Sequence, residues 1–221
     1  MKSWPVALGY GIAFAAGLYA QDAPPWPDTY EARLQALALV QTLNAGVLAS
    51  RSATLTLEAW CRDHRLAKEP AIAAEVVPGA VKAPSAEQRQ RLEVGPETQI
   101  KYRRVRLRCG DRVLSEADNW YVPERLTAEM NRLLDTTGTP FGKVVQPLEP
   151  YRRTFAVKLL WSPLPEGWER GPRAAPGGSG PLAIPDALFE HRAVLYTRDH
   201  KPFSEVDETY ERPLLAFPPP R

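Results

Sequence analysis

Three arginines at alternate positions, Arg104, Arg106 and Arg108, and a glutamate late in the chain, Glu208, are the side chains whose type and spacing best suit chemistry. A guanidinium meets a carboxylate through two parallel hydrogen bonds, which supply both energy and orientation. A row of arginines on one strand face is therefore a means of holding a small carboxylate. Glu208 follows Glu205 and Asp207 in the run FSEVDETY. On an extended strand Glu205 and Asp207 share one face, and Glu208 shares the other with Val206 and Tyr210. A carboxyl group on an apolar face is desolvated and its proton affinity rises, which suits it to donate a proton or to bind a phenol. Two further local motifs are a turn and a cap. In the turn Thr139-Pro140-Phe141-Gly142, the glycine permits close approach to the main chain, and Ser52-Ala53-Thr54 reads as a helix cap.

The elements that must position these residues follow from periodicity. Arg104, Arg106 and Arg108 alternate with Val105, Leu107 and Cys109, the pattern of a half-buried strand. Asn119 to Pro123 reads as a second strand stopped by proline, with Trp120 and Tyr121 on opposite faces, one for the core and one to line a pocket. Thr127 caps a short helix whose inner side carries Met130, Leu133 and Leu134. Upstream, Asp28 and Glu31 form a capping box, and Leu34, Leu37, Val40, Leu43 and Leu48 recur at helical spacing, with a bend or break at Asn44-Ala45-Gly46. A second helix follows Ser52, with Leu55, Leu57, Trp60 and Cys61 inward. Between residues 67 and 95 a short strand, AIAAEVV, lies among prolines. Residues 153–161 read as another strand with Phe155, Val157 and Leu159 on one face. Residues 191–196 and 203–210 read as two more, joined by TRDHKP. The Gly- and Pro-rich stretch 163–185 reads as a flexible loop. The expected fold is α+β, a single antiparallel β-sheet with helices packed on one face.

Composition narrows the function. The 221 residues suffice for one domain with a good core, and a formal charge of +2 argues against a nucleic-acid binder driven by overall charge. His64, His191 and His200 are scattered, with no pair at ligand spacing, and no CxxC, P-loop or G-x-S-x-G is present, so no metal site is expected. Lys2 precedes an apolar run from Trp4 to Ala20. This reads as a signal peptide (1–20) followed by a linker (21–28), or else as an uncleaved membrane anchor or a buried helix. The first reading makes the protein periplasmic or secreted, and membrane contact is expected only if the segment is retained. The folded domain is expected over 29–217, with a tail at 218–221. In an oxidising compartment Cys61 and Cys109 could pair as a disulfide; the alternative is two buried thiols.

The stretch from Tyr102 to Val145 resembles chorismate pyruvate-lyase, whose fold is shared by the effector-binding domain of a large group of bacterial transcription regulators. The resemblance is carried by an Arg-bearing strand ending in Cys109, a second strand ending Val122-Pro123, a helix opened by Leu126-Thr127, and the Thr139-Pro140-Phe141-Gly142 turn. Fainter matches run from Leu43 to Tyr210. The resemblance implies that the arginine holding the ligand's ring carboxylate, counted back from Cys109, is Arg104. The family's late-strand glutamate falls on Glu208 if one residue is inserted after Lys201-Pro202, and on Asp207 otherwise. Main-chain groups at Ala53 and at Phe141-Gly142 would fix the ring. The implied reaction eliminates pyruvate from chorismate to leave 4-hydroxybenzoate, with Arg104 and Glu208 catalytic and no metal or organic cofactor. The chain departs from the family at Asn119, near which the lyase carries a second arginine. The alternative is a non-catalytic exported ligand-binding or envelope protein on the same fold, favoured because chorismate is a cytoplasmic metabolite. The expected partner is a small aromatic carboxylate, without nucleic acid, and the expected state is a monomer.

Overall fold

The computed structural model describes residues 25–171 and 180–220. The signal or anchor segment 1–20 lies outside the described residues, as do 21–24 of the linker, 172–179 of the long loop, and residue 221 of the tail. The architecture is α+β, with one antiparallel six-stranded sheet. In chain order the elements are α1 (Tyr30–Ala49), α2 (Ala53–Asp63), β1 (Ile72–Val76), α3 (Ala86–Arg91), β2 (Lys101–Cys109), β3 (Arg112–Tyr121), α4 (Ala128–Thr136), α5 (Phe141–Val144), β4 (Tyr151–Leu159), β5 (Ala187–Tyr196) and β6 (Pro202–Glu211). The strands lie in the order β1-β2-β3-β6-β5-β4, so the two halves of the sheet meet where β3 pairs with β6.

Local chemistry accounts for most element ends. Ser52 and Thr127 cap α2 and α4 as expected, accepting from the amides of Leu55 and Met130. At α1 the cap is Thr29 rather than Asp28, whose carboxylate pairs instead with Arg33. α1 runs unbroken through Asn44-Ala45-Gly46. Its buried stripe is Ala32, Ala36, Val40, Leu43 and Val47, while Leu48 is exposed. Leu55 is likewise exposed, whereas Leu57, Trp60 and Cys61 are buried. Trp26, placed in a linker by composition, belongs to the core: it is buried, edge-on to Phe217, and its indole N–H donates to Leu215 O at 3.0 Å. The described flank of the long loop is pinned beside it, Leu182 N donating to Trp26 O at 2.7 Å.

The faces of the sheet follow from pairing register. Arg103, Val105, Leu107 and Cys109 share a face with Ala117 and Asn119 of β3 and with Val206 and Glu208 of β6. Helices α1, α2, α4 and α5 cover this inner face. The short α3 contacts the opposite face, where Arg91 grips the buried Glu205 through two bonds of 2.8 Å. A bulge between Thr154 and Ala156 breaks the expected common face of β4. Phe155 lies under the Arg91 guanidinium at 4.6 Å, whereas Val157 is opposite His191 of the inner face. Trp120 lies on the outer face, donating to Lys82 O at 2.9 Å, and Tyr121 packs inward beside Phe141. Cys61 and Cys109 form a disulfide with Cα atoms 6.2 Å apart, tying α2 to the end of β2.

The inner core divides into two clusters. One joins α1 and α2 to Val105, Leu107, Phe189 and Tyr210; the other joins α4 and α5 to Tyr121, Leu195, Phe203 and Val206. The candidate site lies at their seam.

Candidate functional site

A cavity of ≈ 50 Å³ opens between the two clusters, with apolar walls from Val105, Leu107 and Ala117 on one side and Phe141, Val145 and Leu195 on the other. Of the residues singled out from sequence, Ala53, Phe141, Gly142 and Glu208 all line it. Arg104 does not. The strand alternation puts it on the outer face, 44% exposed, where it donates to Glu116 at 2.7 Å. Hydrogen bonding to Glu116 raises its proton affinity further. Arg106 and Arg108 belong to the same outer ladder, bonded to Glu116 and Glu75. The assignment of the ligand-binding arginine to Arg104 is therefore corrected, because a residue one position off the apolar register points away from the cavity. Asp207, the alternative to Glu208, is also on the outer face, 3.3 Å from Arg192.

Two arginines that the sequence reading did not single out border the cavity instead. Arg103, on β2, is 6% exposed and lines the cavity. It makes no ion pair among the described residues. Its Nη1 and Nη2 donate to the carbonyls of Thr139 and Thr137 at 3.3 and 3.1 Å, and its Nε is buried with no partner. Burial lowers its proton affinity, with Tyr121 and Asp135 acting in the opposite direction. An arginine stays protonated regardless, so this position is a buried positive charge with a donor to spare. The signal was present in the sequence: Arg103 continues the odd-numbered series Val105, Leu107, Cys109.

Arg152, on β4, is the second. Its side chain is 3% exposed, and Nη2 donates to Glu208 Oε2 at 2.6 Å. Burial alone would lower its proton affinity, but the facing Glu208 carboxylate and Tyr210 more than offset it, so the net direction is upward. Glu208 Oε2 also accepts from the Tyr210 hydroxyl at 3.1 Å. The Tyr210 ring stacks on Phe189, and burial, with Glu208 close by, holds its hydroxyl proton tightly. In both bonds the Glu208 carboxylate is the acceptor. Beside it on β5, His191 is fully buried, with Nε2 2.7 Å from Asn44 Oδ1 and Nδ1 unpartnered. Burial and the nearby Arg152 charge push its pKa down to about 4.

The N-terminus of α2 closes the cavity opposite the sheet. The first amides of a helix have no partner within it. Ser52 Oγ takes that of Leu55, and Ala53 and Thr54, the first two residues of the helix, border the cavity. Gly142 serves this arrangement by packing. A Cβ there would lie 2.7 Å from Ser52 Oγ and 3.0 Å from Thr54 Oγ1, so only glycine lets α5 sit against the start of α2. The contact is with protein side chains. Asn119 also lines the cavity, its Oδ1 accepting from Ser204 Oγ at 2.9 Å. The cavity is thus bordered by Arg51, Arg103 and Arg152 against the single carboxylate of Glu208, a strongly cationic lining.

A small, largely apolar cavity bordered by two buried arginines and one buried glutamate, set over an antiparallel sheet, defines the class: an α+β domain with a polar-lipped inner cavity. No protein-family model matches the chain. The chain belongs to the family of the uncharacterized protein y4mC of Sinorhizobium fredii (strain NBRC 101917 / NGR234), with which it shares 52% identity over 196 residues, 88% of this chain and 83% of that protein. Partial structural likeness extends to the effector domain of PhnF from Mycobacterium smegmatis, with TM-score 0.45, 12% identity, and 72% of this chain and 88% of that chain covered. A possible transcriptional regulator, YydK from Bacillus subtilis, has TM-score 0.40 and 16% identity, covering 63% of this chain and 57% of that chain's length. Among the described residues no group of His, Cys, Asp and Glu is arranged to hold a metal ion, and no helix is long and apolar enough to cross a membrane.

Proposed function

We propose that the protein binds a small organic carboxylate in the cavity between β2, β6 and the start of α2, on a chorismate lyase-like scaffold. The observation that carries this reading is Arg103: a buried guanidinium bordering an open space, with an unpartnered Nε and no ion-pair partner among the described residues. Isolated buried charge is costly, and an incoming carboxylate would supply the missing partner. Arg103 would take the carboxylate in a charge-assisted pair, with the Ala53 and Thr54 amides as further donors. Glu208, bonded to Arg152 and Tyr210, matches the charge of Arg152 and leaves that of Arg103 for the ligand. Calorimetric titration with 4-hydroxybenzoate tests this. Binding should be lost in Arg103→Met and retained in Arg104→Ala; equal affinity in Arg103→Met and wild type would sink the assignment.

A second reading, favoured by Glu208 and Arg103 bordering the same cavity, is a carbon–oxygen lyase that eliminates pyruvate from chorismate. Here Arg103 would hold the ring carboxylate and Glu208 would act on the leaving side chain. Pyruvate release from chorismate by folded protein is the measurement; a rate equal to the uncatalysed one rejects it. Export, and with it periplasmic or secreted localisation, is part of the same proposal. The Cys61–Cys109 disulfide supports it, because such bonds persist in oxidising compartments.

A further inference from the structure

The inner cavity, at ≈ 50 Å³, is far smaller than the roughly 300–1,000 Å³ of ordinary small-molecule pockets. It has room for a carboxylate group and little more. A second space lies alongside: an open groove of ≈ 530 Å³ between the β1–β2 strands and the end of α4. Among the described residues, Arg103 borders both spaces. One of its two guanidinium bonds goes to the carbonyl of Thr137, a groove residue, and its Nε is still unpartnered.

We propose that the groove on the far side of Arg103 receives the body of the ligand, an aryl carboxylic acid or one of similar length, while Arg103 holds the carboxylate at the wall of the inner cavity. This rests on the carboxylate reading of Arg103 and adds where the remainder of the molecule lies. The groove suits such a body. Val76, Leu134 and the Tyr121 ring give it apolar surface, and the Lys101–Asp135 pair, bonded at 2.7 and 3.0 Å, stands at its rim as a polar partner for a distal hydroxyl. Burial keeps the Tyr121 hydroxyl protonated, its pKa pushed up to about 12, so it is a neutral donor at any ordinary pH.

The test uses the full chain, isotope-labelled for NMR titration, with two probes: acetate, small enough for the inner cavity, and 4-hydroxycinnamate, which needs the groove. Two groove-filling variants, Val76→Trp and Thr136→Trp, alter positions that are already exposed. The inference expects each to weaken 4-hydroxycinnamate at least tenfold while changing acetate affinity less than twofold, and Arg103→Met to remove both. If both acids bind wild type and depend on Arg103 but neither filled variant affects 4-hydroxycinnamate, the groove assignment is overturned and the carboxylate site stands. If neither acid binds the wild-type chain, the carboxylate reading itself fails and the groove assignment with it.

Discussion

Arg103 and Arg152 are both buried guanidinium groups beside one cavity, yet the structure assigns them opposite energetic roles, and replacing each by methionine should separate them. Arg152 and Glu208 are 3% and 8% exposed at the side chain and bonded at 2.6 Å. Breaking a buried pair by removing one partner leaves the other charge uncompensated and costs about 3–5 kcal/mol. For a domain of this size each kcal/mol moves Tm by roughly 2–4 °C, so Arg152→Met or Glu208→Gln should lower it by on the order of 10 °C. The Arg152→Met/Glu208→Gln double variant removes both charges and should recover most of that loss. Arg103 has no such partner. Its burial costs several kcal/mol as an unpaired ion, and two charged hydrogen bonds return about 1.5–3 kcal/mol each. These nearly cancel, and the half-exposed Thr137 and Thr139 can turn their carbonyls to water. Arg103→Met should therefore change stability by less than about 2 kcal/mol in either direction while abolishing carboxylate binding. Urea unfolding and thermal melts monitored by circular dichroism measure both effects. The reasoning is refuted if Arg103→Met destabilises as much as Arg152→Met, or if the double variant is no more stable than either single one.

Three further outcomes follow from the same geometry. The Cys61–Cys109 bond closes a loop of 48 residues, for which chain entropy gives about 4 kcal/mol, so reduction should lower Tm by roughly 8–16 °C; a melt in dithiothreitol within 2 °C of the oxidised protein, with both thiols shown free by mass, contradicts this. Gly142→Ala forces a Cβ against Ser52 and Thr54 and should cost about 1–3 kcal/mol through displacement of α5 from α2, and wild-type stability in urea would show that the contact relaxes freely. His191 has its folded pKa depressed from 6.5 to about 4, with Arg152, Glu208, Asn44 and Tyr210 around it. The unfolded chain binds the proton first as pH falls, so this residue's contribution is complete above pH 6.5 and lost between 6.5 and 4, about 3 kcal/mol in all. Urea midpoints at pH 7.5 and 5 should fall less in His191→Phe than in wild type, and equal falls would remove His191 as the cause.

The fold was legible because its signals are local and redundant. Ser52 and Thr127 cap the helices they were expected to cap, and β2, β5 and β6 follow alternation and β-rich composition. The misreadings fall where tertiary packing overrides pattern. Leu48 and Leu55 continue apolar series on α1 and α2 but end up exposed, and the buried stripe of α1 is built largely from alanine and valine, whose small volume lets the helix approach the sheet. The β4 bulge has no marker in its residues, so Phe155 and Val157 could not be separated beforehand.

Of the candidate site residues, Ala53, Phe141, Gly142 and Glu208 border the cavity and Arg104 does not, and the reason is geometric. A strand has a side-chain period of two, so a register error of one residue transfers a side chain to the opposite face. The runs Arg103-Arg104 and Arg152-Arg153 each present two guanidinium groups in succession, and a motif count that is off by one selects the wrong member while still landing on an arginine. The apolar neighbours carry the correct register. Arg103 lies in phase with Val105, Leu107 and Cys109, all buried, whereas Arg104 lies in phase with Arg106 and Arg108, whose charges are already matched by Glu75 and Glu116. A charge in phase with its own kind on a solvated face can be neutralised at little cost. A charge in phase with valine, leucine and cystine is buried when the sheet folds, and among the described residues nothing of opposite sign pairs with it. The arginine that interrupts the apolar series is therefore the one that the proposed carboxylate would pair with.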